Sequence, residues 1–329
     1  MYSETDVDIG ADLLPNVVYE NYYMRLKINF FTLLLIASSF LLFSCKNNGD
    51  NSEISKGGVI SDLVEEEVVL PEVDDVCSQM DDPSFKAYCL KNFDADSDGK
   101  LSMAEADAVT ELLFASPYSE GESAQCWEYE QLLQSLKGVE YFRNLEVLIF
   151  EDHQVTNLDV RRNTYLEYLY CSGNKIDTLN VSNNKLLKEL FCFSCGLTGL
   201  DVSNNTELQS LSCSDNKISF LDVSKNRKLT YLACSTNQLT ILDVSNNTCL
   251  KNLYCVNNNL TTLDLTNLPE LVSLNCEGNM LTTLNLENNS QLEYLLCDRN
   301  KLTKLNLSNN PKLKLLTSDQ ETEVIGYKK

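Results

Sequence analysis

A period of 21 residues runs through the second half of this chain and limits its fold more than any other feature. Cys171, Cys192, Cys213, Cys234, Cys255, Cys276 and Cys297 each stand 21 residues after the last. Leu166, Leu187, Leu208, Leu229, Leu250, Leu271 and Leu292 keep the same step, as do Leu169, Leu190, Leu211, Leu232, Leu253, Leu274 and Leu295. The unit reads L-x-x-L-x-C-x-x-N-x-L-x-x-L-D-V-S-x-N-x-x. A unit this short cannot bury its apolar face alone, so neighbouring coils must stack into one continuous core. L-x-x-L-x-C supplies a short strand, and strands from successive coils pair in parallel about 4.8 Å apart. An earlier coil, Leu145 to Tyr165, carries Phe150 in the cysteine position, and a final fragment runs from Leu313 to Ser318. Residues 145–318 therefore form eight coils and a terminal fragment, spanning about 40 Å.

The ladder cysteines fill a slot that would otherwise hold Leu, where a free thiol acts as a small hydrophobe. Stacked in register they point the same way, which suits neither disulfide geometry nor a metal site. Cys192-Phe-Ser-Cys195 forms one C-x-x-C. Cys77, Cys89, Cys126, Cys195 and Cys249 lie off the ladder and leave one disulfide open among them, with no pairing fixed by sequence. Asn174, Asn216, Asn237, Asn258, Asn279 and Asn300 follow the strands, with Cys195 interrupting the row. Asn163, Asn184, Asn205, Asn226, Asn247, Asn289 and Asn310 mark the opposite turn, interrupted at Leu268. Their amides are placed to satisfy buried turn backbone. His153 occupies the first coil's asparagine position, which gives it a turn role.

Ahead of the repeats, Asp94, Asp96, Asp98, Gly99, Leu101 and Glu105 fit a twelve-residue calcium loop, residues 94–105. Calcium takes about seven oxygens. Three aspartates supply carboxylates, Lys100 its backbone carbonyl, and Glu105 both oxygens. Gly99 permits the sharp turn at positive φ. Asp82-Pro83 opens a helix whose Phe85, Cys89, Leu90 and Phe93 share one face. Ala106, Val109, Leu112 and Leu113 predict a second helix to about Ala115. A single loop implies weak affinity, about 10⁻⁴–10⁻³ M.

At the N-terminus, Arg25 and Lys27 precede an apolar run from Ile28 to Phe43, shorter than the ~20 residues a span needs. Its end, Leu42-Phe43-Ser44-Cys45, resembles a bacterial lipobox, which implies lipidation at Cys45. Residues 1–45 are read as this signal region, with 1–23 ahead of the true start. Residues 46–76 form an acidic tether, 77–120 the helix-loop-helix, 121–144 a cap of the solenoid and 319–329 a polar tail.

The repeats resemble the leucine-rich repeat superfamily. Cysteine for leucine in a 21-residue unit is similar to the cysteine-ladder repeats of internalin J and of bacterial surface lipoproteins that also carry a lipobox and an EF-hand. The resemblance implies an α/β fold by the leucine-rich repeat convention: a right-handed parallel-β solenoid with an N-terminal helical EF-hand segment. It implies calcium as the bound ion and a cell-envelope protein, lipid-anchored at the outer membrane or cell surface.

In such repeats the third, fifth and seventh positions, counted with the leading Leu as the first, face the concave surface. They place Tyr168, Tyr170, Phe191 and Phe193 on neighbouring strands, beside Ile149. Aromatic rings immobilise at low entropic cost and dominate binding hot spots. A protein partner on this face, for adhesion or assembly, is the leading expectation. Carbohydrate stacked on the same rings is the alternative, and cover by the N-terminal segment would leave neither. With 48 acidic and 26 basic side chains, a net charge of −22, the chain is unsuited to nucleic acid. One His, and no nucleophile elbow or paired-carboxylate motif outside the calcium loop, argue against an enzyme.

Overall fold

The computed structural model describes residues 70–114 and 132–327. The lipobox with Cys45, the signal region, most of the tether, and Cys126 lie outside the described residues. A 3-10 turn, Val76–Gln79, leads to α1, Pro83–Phe93. The calcium loop follows, then α2, Met103–Asp107, and β1, Glu111–Phe114. After a second 3-10 turn, Val139–Tyr141, the coils begin. Their strands are β2 Val147–Phe150, β3 Tyr168–Tyr170, β4 Glu189–Phe191, β5 Ser210–Ser212 and β6 Tyr231–Ala233. They continue as β7 Asn252–Tyr254, β8 Ser273–Asn275, β9 Tyr294–Leu296, β10 Lys304–Asn306, β11 Leu315–Thr317 and β12 Glu323–Ile325.

Ten strands make one parallel sheet in the order β1 to β9 and then β11, while β10 and β12 pair separately. The register follows the period: Leu169 faces Leu190, Leu190 faces Leu211, and Leu211 faces Leu232. The molecule is a parallel-β solenoid of leucine-rich repeat type. Its core is six stacks, of which the leading leucines, the mid-strand leucines and the ladder cysteines are wholly inaccessible. Burying each such leucine contributes about 1.5–3 kcal/mol. Three further stacks, which begin at Ile176, Leu179 and Val181 in the second coil, are buried in the part of each coil that follows the strand.

The second helix expected to run to about Ala115 stops at Asp107, and residues 111–114 pair with β2 instead. Leu112 and Phe114 are buried while Glu111 is exposed and Leu113 half-buried, so the alternation is that of a strand. Ala-Asp-Ala-Val-Thr-Glu-Leu-Leu-Phe carries apolar residues that satisfy both periods, and the β-branched Val109-Thr110 pair together with an open sheet edge decides for the strand. The solenoid sheet therefore begins inside the segment assigned to the helix-loop-helix. Phe114 and Phe150 occupy the slot that cysteine fills from Cys171 onward.

α1 closes this end. Phe85 meets Phe114 edge-on at 5.8 Å, and Tyr88 lies 4.7 Å from the same ring. Asp82 is the N-cap of α1 through Ser84 and Phe85, and its other oxygen accepts from the backbone of Gln134 and Ser135. One buried carboxylate thus ties the helix to the start of the solenoid. At the far end the polar tail contributes β12. Asp319 accepts from the backbone of Arg299 and Asn300, taking the place of the backbone carbonyls that the next coil offers such N–H groups earlier in the solenoid.

Both asparagine ladders are hydrogen-bonded as the turn chemistry requires. Asn237 Nδ2 donates to the carbonyls of Cys213, Cys234 and Ser235, and its Oδ1 accepts from Ile218. In the opposite row Asn226 Nδ2 donates to Val202 and Asn205, but its Oδ1 finds no donor. Cys195 stands in the first row and uses its thiol as Asn uses its amide, donating to the Cys171 carbonyl at 3.2 Å. His153 fills the equivalent place in the first coil, is buried, and accepts from Leu133 N through Nδ1.

Candidate functional site

Two features carry functional chemistry: the N-terminal acidic loop and the concave sheet. In the loop, carboxylate oxygens of Asp94, Asp96 and Asp98 all lie within 4.8 Å of one another. Gly99 sits at φ +82° and Ser97 at φ +60°, which turns the chain back on itself. Asp94 accepts from the backbone of Asp98 and Gly99, and Asp98 accepts from Lys100. Glu105 reaches across the loop: one oxygen accepts from Ala95 N at 2.7 Å, the other from Ser102 N and Oγ at 2.8 Å. The Ser102 backbone bond, foremost among these, pulls its carboxyl below the ordinary range and keeps it ionised. Ser102 caps α2 in a reciprocal capping box with Glu105. Lys100 is exposed.

The lone loop is held by the chain that precedes it. Val76 N donates to the Leu101 carbonyl at 2.7 Å, and Leu101 N donates to Asp75 Oδ1 at 3.1 Å. Leu101 is fully buried. The donor set of clustered carboxylates, a glycine at the turn and a glutamate reaching back across the loop fits a calcium ion.

On the concave sheet, the third-position row reads Val147, Tyr168, Glu189, Ser210, Tyr231, Asn252, Ser273 and Tyr294 in lateral register. The fifth-position row is Ile149, Tyr170, Phe191, Ser212, Ala233, Tyr254, Asn275 and Leu296. Tyr168, Tyr170 and Phe193 are half-buried. Phe191 is not an exposed anchor. The ring of Tyr170 stacks on it at 4.6 Å and 12°, leaving Phe191 only 8% accessible. Tyr170 leans across one strand because its hydroxyl donates to Glu189 Oε2 at 2.5 Å. Lys188 pairs with Glu167 and lies 5.9 Å from the Tyr168 ring centre, a cation–π contact. Tyr231 and Tyr254 form a second pair, 5.6 Å apart.

The seventh position behaves differently from expectation. Ser172, Ser214 and Ser235 are buried, not displayed. Ser214 Oγ accepts from Ser235 N, and Ser235 Oγ accepts from Val256 N, so these serines satisfy backbone at the strand ends. Glu189 was legible as a concave residue, yet nothing in the sequence signalled its bond to Tyr170. That bond requires the diagonal between adjacent coils.

The ladder cysteines are free thiols, as are Cys77, Cys89, Cys195 and Cys249. Burial pushes the Cys213 and Cys297 thiols up to about 12 and Cys77 to about 11. Burial likewise drops His153 to about 4, so it is a neutral turn residue at pH 7.

No family model and no curated protein matches the sequence. Among solved structures, the functional domain of InlJ from Listeria monocytogenes, which includes a cysteine ladder, is similar at 28% identity and a TM-score of 0.55. The similarity covers 77% of this chain and 61% of that one, so the chain spans less than two thirds of the InlJ domain's length. Internalin C2 from the same organism shares the fold at 22% identity and a TM-score of 0.57, over 68% of this chain and 97% of that one. The plant peptide hormone receptor RGFR1, solved in complex with RGF2, does so at 24% identity and 0.53, over 58% of this chain and 34% of the receptor. The repeat region is thus a leucine-rich repeat solenoid with a cysteine ladder, similar to the internalins.

Proposed function

We propose that this is a cell-envelope binding protein whose concave sheet recognises a protein partner, in adhesion or assembly. The observation that carries the reading is the half-exposed aromatic group on adjacent strands: Tyr168 and Tyr170 on β3, and Phe193 just beyond β4. Rings held on a rigid sheet are pre-ordered, so little entropy is lost when a partner covers them. The likeness to InlJ and the peptide-bound receptor's use of the same fold support a polypeptide ligand. Carbohydrate stacking is less well served, because Tyr170 and Phe191 spend facing surfaces on each other. In this reading the 94–105 loop holds one calcium ion through Asp94, Asp96, Asp98, the Lys100 carbonyl and Glu105, stiffening the N-terminal cap. Lipidation at Cys45 would fix the protein to a membrane.

The test is retention of a partner isolated on the wild-type protein. Tyr168→Ala with Tyr170→Ala should weaken it by about thirtyfold or more, the loss of at least ~2 kcal/mol. Ser210→Ala with Ser212→Ala should leave it within about twofold. Equal losses in the two variants would place the site elsewhere.

A further inference from the structure

We infer that the concave face selects a cationic segment of a partner protein, with an arginine or lysine head seated against Glu189 beside Tyr168 and Tyr170. This rests on the concave-face reading and adds the chemistry of its partner. The first observation is the sign of the charge. Extending the concave rows to β1, every charged side chain they hold is a carboxylate: Glu111, Glu151, Glu189, Glu277 and Asp298. No Lys or Arg interrupts them, on a chain of net charge −22.

The second observation is how those carboxylates are used. At the C-terminal end the chain compensates its own acids: Arg299 pairs with Glu277, and Thr317 donates to Asp298. At the aromatic end Glu189 accepts the Tyr170 hydroxyl at 2.5 Å and forms no ion pair among the described residues. Its sequence neighbour Lys188 is turned to Glu167 and the Tyr168 ring instead. Burial raises the Glu189 carboxyl above the ordinary range, the direction expected of a carboxylate that lacks a cation.

A guanidinium or ammonium there gains a charge-assisted hydrogen bond to Glu189 and lies beside the half-buried rings of Tyr168 and Tyr170. An anionic ligand meets carboxylates in the third- and seventh-position rows and no cation in any of the three. Arginine suits the place better than lysine, because its plane both stacks and bonds in a fork.

The experiment uses fluorescein-labelled Gly-Ser-Arg repeat peptides, with Gly-Ser-Lys and Gly-Ser-Glu counterparts, read by anisotropy against the full chain. At about 150 mM salt the Debye length is about 8 Å, so diffuse attraction to an acidic protein is screened. The arginine peptide should bind, the lysine peptide more weakly, and the glutamate peptide not at all. Glu189→Gln keeps an acceptor for the Tyr170 hydroxyl and should weaken the arginine peptide about tenfold or more. Asp222→Asn with Asp243→Asn, on the opposite turn, should change it less than about twofold.

Absence of arginine-peptide binding up to millimolar concentration overturns the inference. So does an unchanged affinity in Glu189→Gln at unchanged melting temperature, or an equal loss in the opposite-turn variant. A third variant, Tyr168→Ala with Tyr170→Ala, separates the two readings. If it alone abolishes binding, the concave site stands and the selection of a cation falls. If none of the concave variants matters, both fall.

Discussion

Removing the Asn237 amide should cost far more than one hydrogen bond. Its Nδ2 donates to the carbonyls of Cys213, Cys234 and Ser235, and its Oδ1 takes the N–H of Ile218 at 2.9 Å. Two amide hydrogens support two good bonds at a time, each contributing about 1 kcal/mol net. Alanine also strands the Ile218 N–H in a fully buried place, at about 1–3 kcal/mol. Asn237→Ala should therefore destabilise by about 3–5 kcal/mol, which lowers the melting temperature by about 6–20 °C in a unit of this size. The internal control is Asn226→Ala. Its Oδ1 has no donor, and the Val202 and Asn205 carbonyls keep backbone donors from Asn205 and Leu208. That variant should cost only about 1–2 kcal/mol. Asn237→Cys, which copies the thiol donor found at Cys195, should fall between them. Urea denaturation followed by far-ultraviolet dichroism reads all three. Equal costs at the two ladders, or a loss below about 1 kcal/mol for Asn237→Ala, would refute the accounting of turn backbone.

Three further outcomes follow from the same structure. Unfolded without reductant, the protein should expose the seven ladder thiols, whereas the native protein should react slowly at all seven; fewer thiols after unfolding would mean the ladder is cross-linked. Calorimetry should show one calcium bound, and Asp94→Ala or Glu105→Gln should abolish the heat; no binding at millimolar calcium would remove the ion from the account. His153 is held neutral with its pKa near 4 when folded against about 6.5 unfolded, so the unfolded chain binds more protons between those values. Its contribution is present above pH 6.5 and is lost as pH falls toward 4, to a total of about 3 kcal/mol. His153→Asn, the residue of the later coils, should flatten that slope when stability is measured from pH 7 to 4.

The solenoid was legible because its determinants repeat. One misread position in a 21-residue period is outvoted by the other coils, so register, core stacks and both asparagine ladders follow from spacing alone. Cys195 fits the same logic, since a thiol still donates where an amide would. The segment after the calcium loop has no such redundancy. Leu112, Leu113 and Phe114 fit either period, and the β-branched Val109-Thr110 pair together with the open edge of β2 selects the strand. The binding face was legible as a set of rows, but not as a surface. Tyr170 and Phe191 look equally displayed in sequence, and the bond from Tyr170 to Glu189 is what lays one ring over the other. Side-chain contacts between adjacent coils depend on rotamers, which a one-dimensional pattern does not encode.

The central claim is that partners dock on the concave rows at the second and third coils. A photo-crosslinking residue placed at Tyr168 tests it most directly, against the same residue at Phe220, which is 71% accessible outside those rows. With a partner recovered on the wild-type protein, the account predicts a covalent adduct from position 168 and none from position 220. An adduct from 220 alone, or equal yields from both, would contradict it.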